Sequence, residues 1–266
     1  MKKTVLTIAG SDSSGGAGIQ ADLKSFAANE TYGASVITAV TAQNTTGVFA
    51  IEALSKGIIK AQIEAVFTDL HITGVKVGMV TDQEVMSLIA HTIKAYACQF
   101  VVVDPVMVST TGHTLLEKDQ IAALKTTLLP LATVITPNLQ EAEVLLDRKI
   151  ASFQQMQEAA KALANQTGTY VLLKGGHFPF EQAGRKSSVD VLSTGDTFTS
   201  DWIDTGSTHG TGCSLSAAIC ANLVKGMSLV TAIEQAKTYV HQGIIHAYQI
   251  GAGSNPIHHF HSYWEA

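Results

Sequence analysis

Val5-Leu6-Thr7-Ile8-Ala9-Gly10-Ser11-Asp12-Ser13-Ser14-Gly15-Gly16-Ala17-Gly18-Ile19-Gln20-Ala21-Asp22 reads as a strand, a turn and the opening of a helix. The apolar run at 4–9 is strand-length and breaks into Gly, Ser and Asp over 10–18, which is turn chemistry. Beyond it Ile19, Leu23, Phe26 and Ala27 recur at helical spacing. A β-rich run follows at 34–41, then a loop at 42–47. Strand, helix and strand in this order predict a parallel, right-handed β-α-β unit.

The alternation continues to the end of the chain. Helices are expected at 56–69, 82–96, 117–129, 139–146, 152–166, 211–225 and 228–248, and strands at 74–79, 100–104, 133–136 and 169–173. Phe100-Val101-Val102-Val103 is apolar without alternation, as in a strand covered by helices on both faces. Runs at 188–192 and 196–200, flanking Ser193-Thr194-Gly195, read as an edge hairpin. The expected fold is one α/β domain over 1–266: a doubly wound three-layer α/β/α sandwich with a mostly parallel sheet and a short antiparallel edge hairpin.

Composition narrows the function. Seventeen basic against 22 acidic residues give a net charge of −5, and without a basic run this argues against nucleic acid. No apolar run approaches the roughly twenty residues that span a bilayer, so no membrane partner is expected. The run after Met1-Lys2-Lys3 is too short for the core of a signal peptide. Cys98, Cys213 and Cys220 cannot all pair and form no C-x-x-C, which suits a reducing, cytoplasmic setting.

In such sheets ligands bind beyond the carboxyl ends of the strands. Those ends carry Gly10-Ser11-Asp12, Gln43-Asn44, Gly78-Met79, Asp104-Pro105-Val106-Met107, Pro137-Asn138 with Glu141, and Lys174-Gly175-Gly176. Thr208-His209-Gly210-Thr211-Gly212-Cys213 adds glycines before an apolar helix. The amides of Gly210, Thr211 and Gly212 could converge there on an anion, and the helix dipole would lower the Cys213 thiol pKa. The same string also suits a tight bend into a buried helix. Gly16-Ala17-Gly18-Ile19-Gln20-Ala21 matches a dinucleotide fingerprint, but Gln43 and Asn44 stand where the ribose-binding acid belongs. No G-x-x-x-x-G-K-[ST] loop is present.

Asn138 and Glu141, three apart at a helix start, could supply oxygens to a hydrated magnesium ion or could simply cap the helix. Asp104 before Pro105 is a further oxygen donor or a turn former, and Lys174 could pair with phosphate oxygens. The Asp22 carboxylate could accept hydrogen bonds from a polar heterocycle or simply occupy a favourable position near the helix dipole. His258, His259 and His261 read as surface histidines, and Cys213 and Cys220 lack partners for a zinc set.

In their order along the chain, Leu6 to Asp12, Gly15 to Asp22, Ala42 to Thr45, Val77-Gly78-Met79, Asp104 to Met107, Thr136-Pro137-Asn138 with Glu141, Lys174 to His177, Thr208 to Cys213 and Pro256 to His261 resemble the bacterial hydroxymethylpyrimidine/phosphomethylpyrimidine kinases of thiamine synthesis. Those belong to the ribokinase-like superfamily. The resemblance implies ATP-dependent phosphorylation of a hydroxymethyl group on a pyrimidine, and then of the monophosphate. It implies Cys213 as base, Gly210, Thr211 and Gly212 as anion hole, and Gly10, Asp22, Gln43, Met79 and Val106 around the ring. It further implies Lys174 and Thr208 on ATP, Mg²⁺ near Asp104, Asn138 and Glu141, a small-molecule partner, and a homodimer. A pyridoxine/pyridoxal kinase of the same fold is the alternative.

Overall fold

The computed structural model describes residues 3–107, 116–176, 180–182 and 185–264. Strand β1 (Thr4–Asp12) leads through the glycine turn into α1 (Gly18–Ala28) and β2 (Tyr32–Asn44). Then come β3 (Gly47–Ala53), α2 (Lys56–Asp69), β4 (Gly74–Val77), α3 (Gln83–Ala95), β5 (Phe100–Val103) and α4 (Lys118–Thr127). Next are β6 (Val134–Ile135), α5 (Leu139–Leu146), α6 (Phe153–Thr167) and β7 (Tyr170–Lys174). The chain closes with β8 (Phe180–Gln182), β9 (Arg185–Leu192), β10 (Thr197–Asp201), α7 (Thr211–Val224) and α8 (Leu229–Ile245).

One sheet runs in the order β10-β9-β7-β6-β5-β4-β1-β2-β3, with β8 on β9. The strands from β7 through β1 to β2 are parallel. β3 pairs antiparallel with β2, and β9 with β7, β8 and β10. The alternation of the central strands sorts two cores. Leu6, Ile8, Val75, Val77, Val101, Val103 and Ile135 face α2 to α6. Val5, Val102, Val134 and Leu172 face α1, α7 and α8. Truncating a fully buried residue such as Leu6 or Ile8 to Ala typically costs about 2–5 kcal/mol.

Helix starts follow their caps. The Ser55, Asp82, Ser152 and Ser228 side chains accept from backbone amides of α2, α3, α6 and α8. α4 stops short of its expected end, with a 3-10 turn around Pro130. The loop expected at 42–47 is instead the end of β2, a two-residue turn and the start of β3. Asn44 Oδ1 accepts from Thr46 N at 2.8 Å and Oγ1 at 2.7 Å, which closes that turn. Among the described residues no helix is long and apolar enough to cross a membrane.

Candidate active site

The carboxyl ends of the parallel strands open into one cavity of about 480 Å³. Gly10, Gln43, Met79 and Val106 line one end, and Lys237, Val240, His241 and Ile244 of α8 reach the other. Between them stand Asp104, Asn138, Glu141, Lys174 and Thr208 to Cys213. Of the expected site residues, Asp22 alone is not on this wall.

The N-terminus of α7 is shaped by two glycines. Gly210 caps the helix with φ 76°, and among the described residues no side-chain cap bond closes the first turn. Its left-handed backbone favours glycine, and a Cβ there would collide with the Gly16 carbonyl. A Cβ on Gly212 would come within 3.3 Å of Lys174 Nζ and 3.7 Å of an Asp104 oxygen. Bare glycine therefore brings the positive end of the helix beside a cationic side chain, a combination that suits an anion.

Lys174 Nζ lies 2.9 Å from Asp104 Oδ1, which also accepts from Thr136 Oγ1 at 3.0 Å. Burial alone would raise the Asp104 carboxyl, but the Lys174 and Lys76 ammonium groups hold it low. Asn138 and Glu141 form a reciprocal capping box: Asn138 N donates to Glu141 Oε2 at 2.7 Å, and Glu141 N to Asn138 Oδ1 at 2.9 Å. The capping alternative is thus realised, and at the cavity wall. Burial pushes the Glu141 carboxyl up to about 7; Lys174 opposes this and the Asp104 charge adds to it. Among the described residues no three His, Cys, Asp or Glu side chains gather into a metal-holding cluster.

Cys213 is partly buried and faces the cavity, but its thiol is not acidified. Burial pushes it up to about 11, with Asp22 and Asp104 adding; Lys76 and the Gly18 amide pull the other way. Desolvation of the thiolate is the largest influence and raises the pKa, contrary to the lowering expected from the sequence.

Asp22 needs the larger correction. It is fully buried beneath the cavity, with Lys76 Nζ 2.9 Å from both carboxylate oxygens and Thr7 Oγ1 2.6 Å from Oδ2. With these contacts satisfied inside the fold, it does not face a ligand. Lys76, which sequence reading missed, does reach the cavity wall.

The glycine turn after β1 holds no pyrophosphate cradle. Its Gly16 and Ala17 amides donate to Asp12 Oδ2 at 3.1 and 2.8 Å. Burial would raise the Asp12 carboxyl, but hydrogen bonds from His209, Ser14 and Ala17 hold it at about 2. His209 Nε2 lies 2.8 Å from Asp12 Oδ2 and joins this turn to the α7 loop. Asp12 and His209 are the residues that sequence reading passed over as a turn former and a loop residue. Gly10 lets Met79 approach, since a Cβ there would strike the methionine methyl. The expected surface histidines are also corrected: His258 and His259 are 2% and 5% exposed. They pin the C-terminal segment through Trp264 O and Tyr239 Oη, at 3.0 and 2.9 Å.

A sheet that brings a helix N-terminus and a lysine to one point above its carboxyl edge can hold a phosphoryl group in transit, and the topology is that of ribokinase-like small-molecule kinases. The model of the phosphomethylpyrimidine kinase family matches residues 12–258, and the chain belongs to that family. It is 48% identical to a hydroxymethylpyrimidine/phosphomethylpyrimidine kinase of Rhizobium meliloti, over 100% of both chains. Among solved structures, an ADP complex of Bacillus subtilis pyridoxal kinase superposes with a TM-score of 0.89 at 36% identity, covering 97% of this chain and 98% of that one. A phosphomethylpyrimidine kinase from Clostridium difficile is 44% identical with a TM-score of 0.76, covering 91% of this chain and 100% of the other.

Proposed function

We propose that this chain transfers the γ-phosphoryl group of ATP to the hydroxymethyl arm of 4-amino-5-hydroxymethyl-2-methylpyrimidine, and then to the resulting monophosphate, for thiamine synthesis in a reducing cytosol. The observation that carries the reading is one cavity shared by Cys213, the uncapped first turn of α7 and Lys174. The pyrimidine would lie at the end walled by Gly10, Gln43, Met79 and Val106, and the nucleotide would extend past Thr208 towards α8. Family membership and the names of full-length relatives support the same substrates.

Phosphoryl transfer asks mainly for alignment and charge neutralisation. The amides of residues 210–213 would grip the transferring group, and Lys174 would offset its charge. Cys213 would take the proton of the alcohol. Its elevated pKa makes the thiolate a minor species at neutral pH but a strong base when formed. The oxygens of Asp104, Asn138 and Glu141 are engaged with protein donors, so they suit Mg²⁺ held through water better than a direct cage. When bound, that ion would neutralise phosphate charge.

The assay is coupled ADP release with hydroxymethylpyrimidine, its monophosphate and pyridoxal offered side by side. Higher kcat/KM for both pyrimidines is expected. Preference for pyridoxal would transfer the chain to the alternative that the pyridoxal kinase fold neighbour supports. The proposed assembly is a homodimer. Its support is β3, the last strand of the sheet order, where Phe49 and Ile51 are 69% and 42% exposed on a strand whose outer edge has no strand partner among the described residues; a monomer in sedimentation velocity would overturn it.

A further inference from the structure

Asp12, His209, Gln43 and Thr41 form a continuous line of side chains along the ring end of the cavity. Asp12 and His209 are each 3% exposed, so water contributes little to their hydrogen bonding. Asp12 Oδ1 accepts from Ser14 N at 2.9 Å and Ser14 Oγ at 2.8 Å, while Oδ2 accepts from Gly16 and Ala17 amides. A carboxylate so surrounded stays ionised and offers only lone pairs. His209 Nε2, 2.8 Å away, must therefore carry a proton and donate it.

The same Nε2 lies 3.2 Å from the near end of the Gln43 side chain, where the geometry sets nitrogen against nitrogen. Two N–H groups cannot bond to each other. An amide has almost the same shape with its oxygen and nitrogen exchanged, so the proton inventory decides which end faces His209. With the oxygen there, the NH₂ group faces Thr41 Oγ1, 3.2 Å from the other end. The single Thr41 proton goes to Ser11 O at 3.0 Å, which leaves its oxygen able to accept. Each contact in the line then sets a donor against an acceptor, and the second Gln43 N–H is left over.

We infer that His209 is a positioning residue for Gln43: donating from Nε2 to Asp12 and to the Gln43 amide oxygen, it locks that amide with its NH₂ group on Thr41. A ring bound beside Gln43 then meets one fixed order of donor and acceptor and is selected by its own edge. The latch is backed from behind. His209 N donates to Asn255 O at 3.2 Å, and Gly16 lacks the Cβ that would strike the imidazole. Only the placement of a ring beside Gln43 rests on the proposed function; the proton arrangement does not.

Nitrogen-15 NMR of the histidine rings in the wild-type protein tests the arrangement without substrate. A protonated Nε2 on His209 is expected, and a bare Nε2 would overturn the inference. Kinetics test the consequence: His209→Ala should raise KM for the pyrimidine by about tenfold, the worth of a lost hydrogen bond, and KM for ATP by less than about twofold. His209→Gln, whose terminal N–H has similar reach, should recover most of the loss. Equal changes in both KM values, or no rescue, would mark His209 as structural only, whereas a failure of the pyrimidine assignment itself would leave the NMR result standing.

Discussion

Two lysine–aspartate pairs stand on the same rim at the same separation, and they differ in nearly everything else. Lys76 and Asp22 meet at 2.9 Å with neither side chain exposed, and Thr7 completes the set. Lys174 and Asp104 also meet at 2.9 Å, but the lysine side chain keeps 13% of its surface open, beside Gly212. Burial pulls the Lys76 ammonium down, yet Asp22 more than offsets it and pushes it up; Lys174 follows the same pattern with Asp104 and Glu141. Identical pair chemistry thus yields a sealed scaffold in one place and a charged wall in the other. Both lysines border the cavity, and the open surface of Lys174, rather than the ion pair, separates chemistry from structure.

Substitutions can break or sharpen that contrast. The largest effect is expected from Lys174→Ala, which should lower kcat by about 10²–10³-fold, the usual worth of one charge stabiliser, with a smaller loss of stability than at Lys76, because Asp104 keeps the Thr136 hydrogen bond and the Lys76 charge. Lys76→Ala should invert the pattern, losing about 3–5 kcal/mol of stability because Asp22 is left buried and unpaired. Chemical denaturation of both variants reads this directly. Equal destabilisation by the two would erase the distinction. Replacing the sealed pair with Lys76→Met and Asp22→Leu together should restore most of the stability lost in the single variant. The smallest effect belongs to Glu141→Gln. Its side-chain oxygen can still accept from Asn138 N, so stability should fall by less than about 1 kcal/mol while the magnesium requirement rises. An unchanged magnesium titration would leave Glu141 as a cap alone.

Much of this could be read from the chain, and the failures share a cause. Helices α2 and α5 fall at the expected 56–69 and 139–146, the second behind the Asn138 cap that the sequence offered. The convergence of strand ends on Lys174 and the 208–213 loop was equally legible, since topology dictates where a parallel sheet opens. β3 was missed because its apolar Phe49 and Ile51 point to solvent, against the usual pattern. The Asp12–His209 contact joins residues 197 apart, and no local string announces it. Asp22 was misassigned for the same reason: its partner Lys76 lies 54 residues away on an apolar strand. The Cys213 pKa depends on depth of burial, which only three dimensions supply.

The proposed transfer depends on Cys213 taking the proton of the alcohol, and the pH profile of the enzyme reads that step. For a base whose free-enzyme pKa is about 11, kcat/KM should climb about tenfold per pH unit from pH 7 to 9. Cys213→Ala should flatten that slope and cut turnover by about 10²–10⁴-fold, with ATP affinity retained. A wild-type profile level across this range, or a Cys213→Ala variant with near-native turnover, would contradict the account.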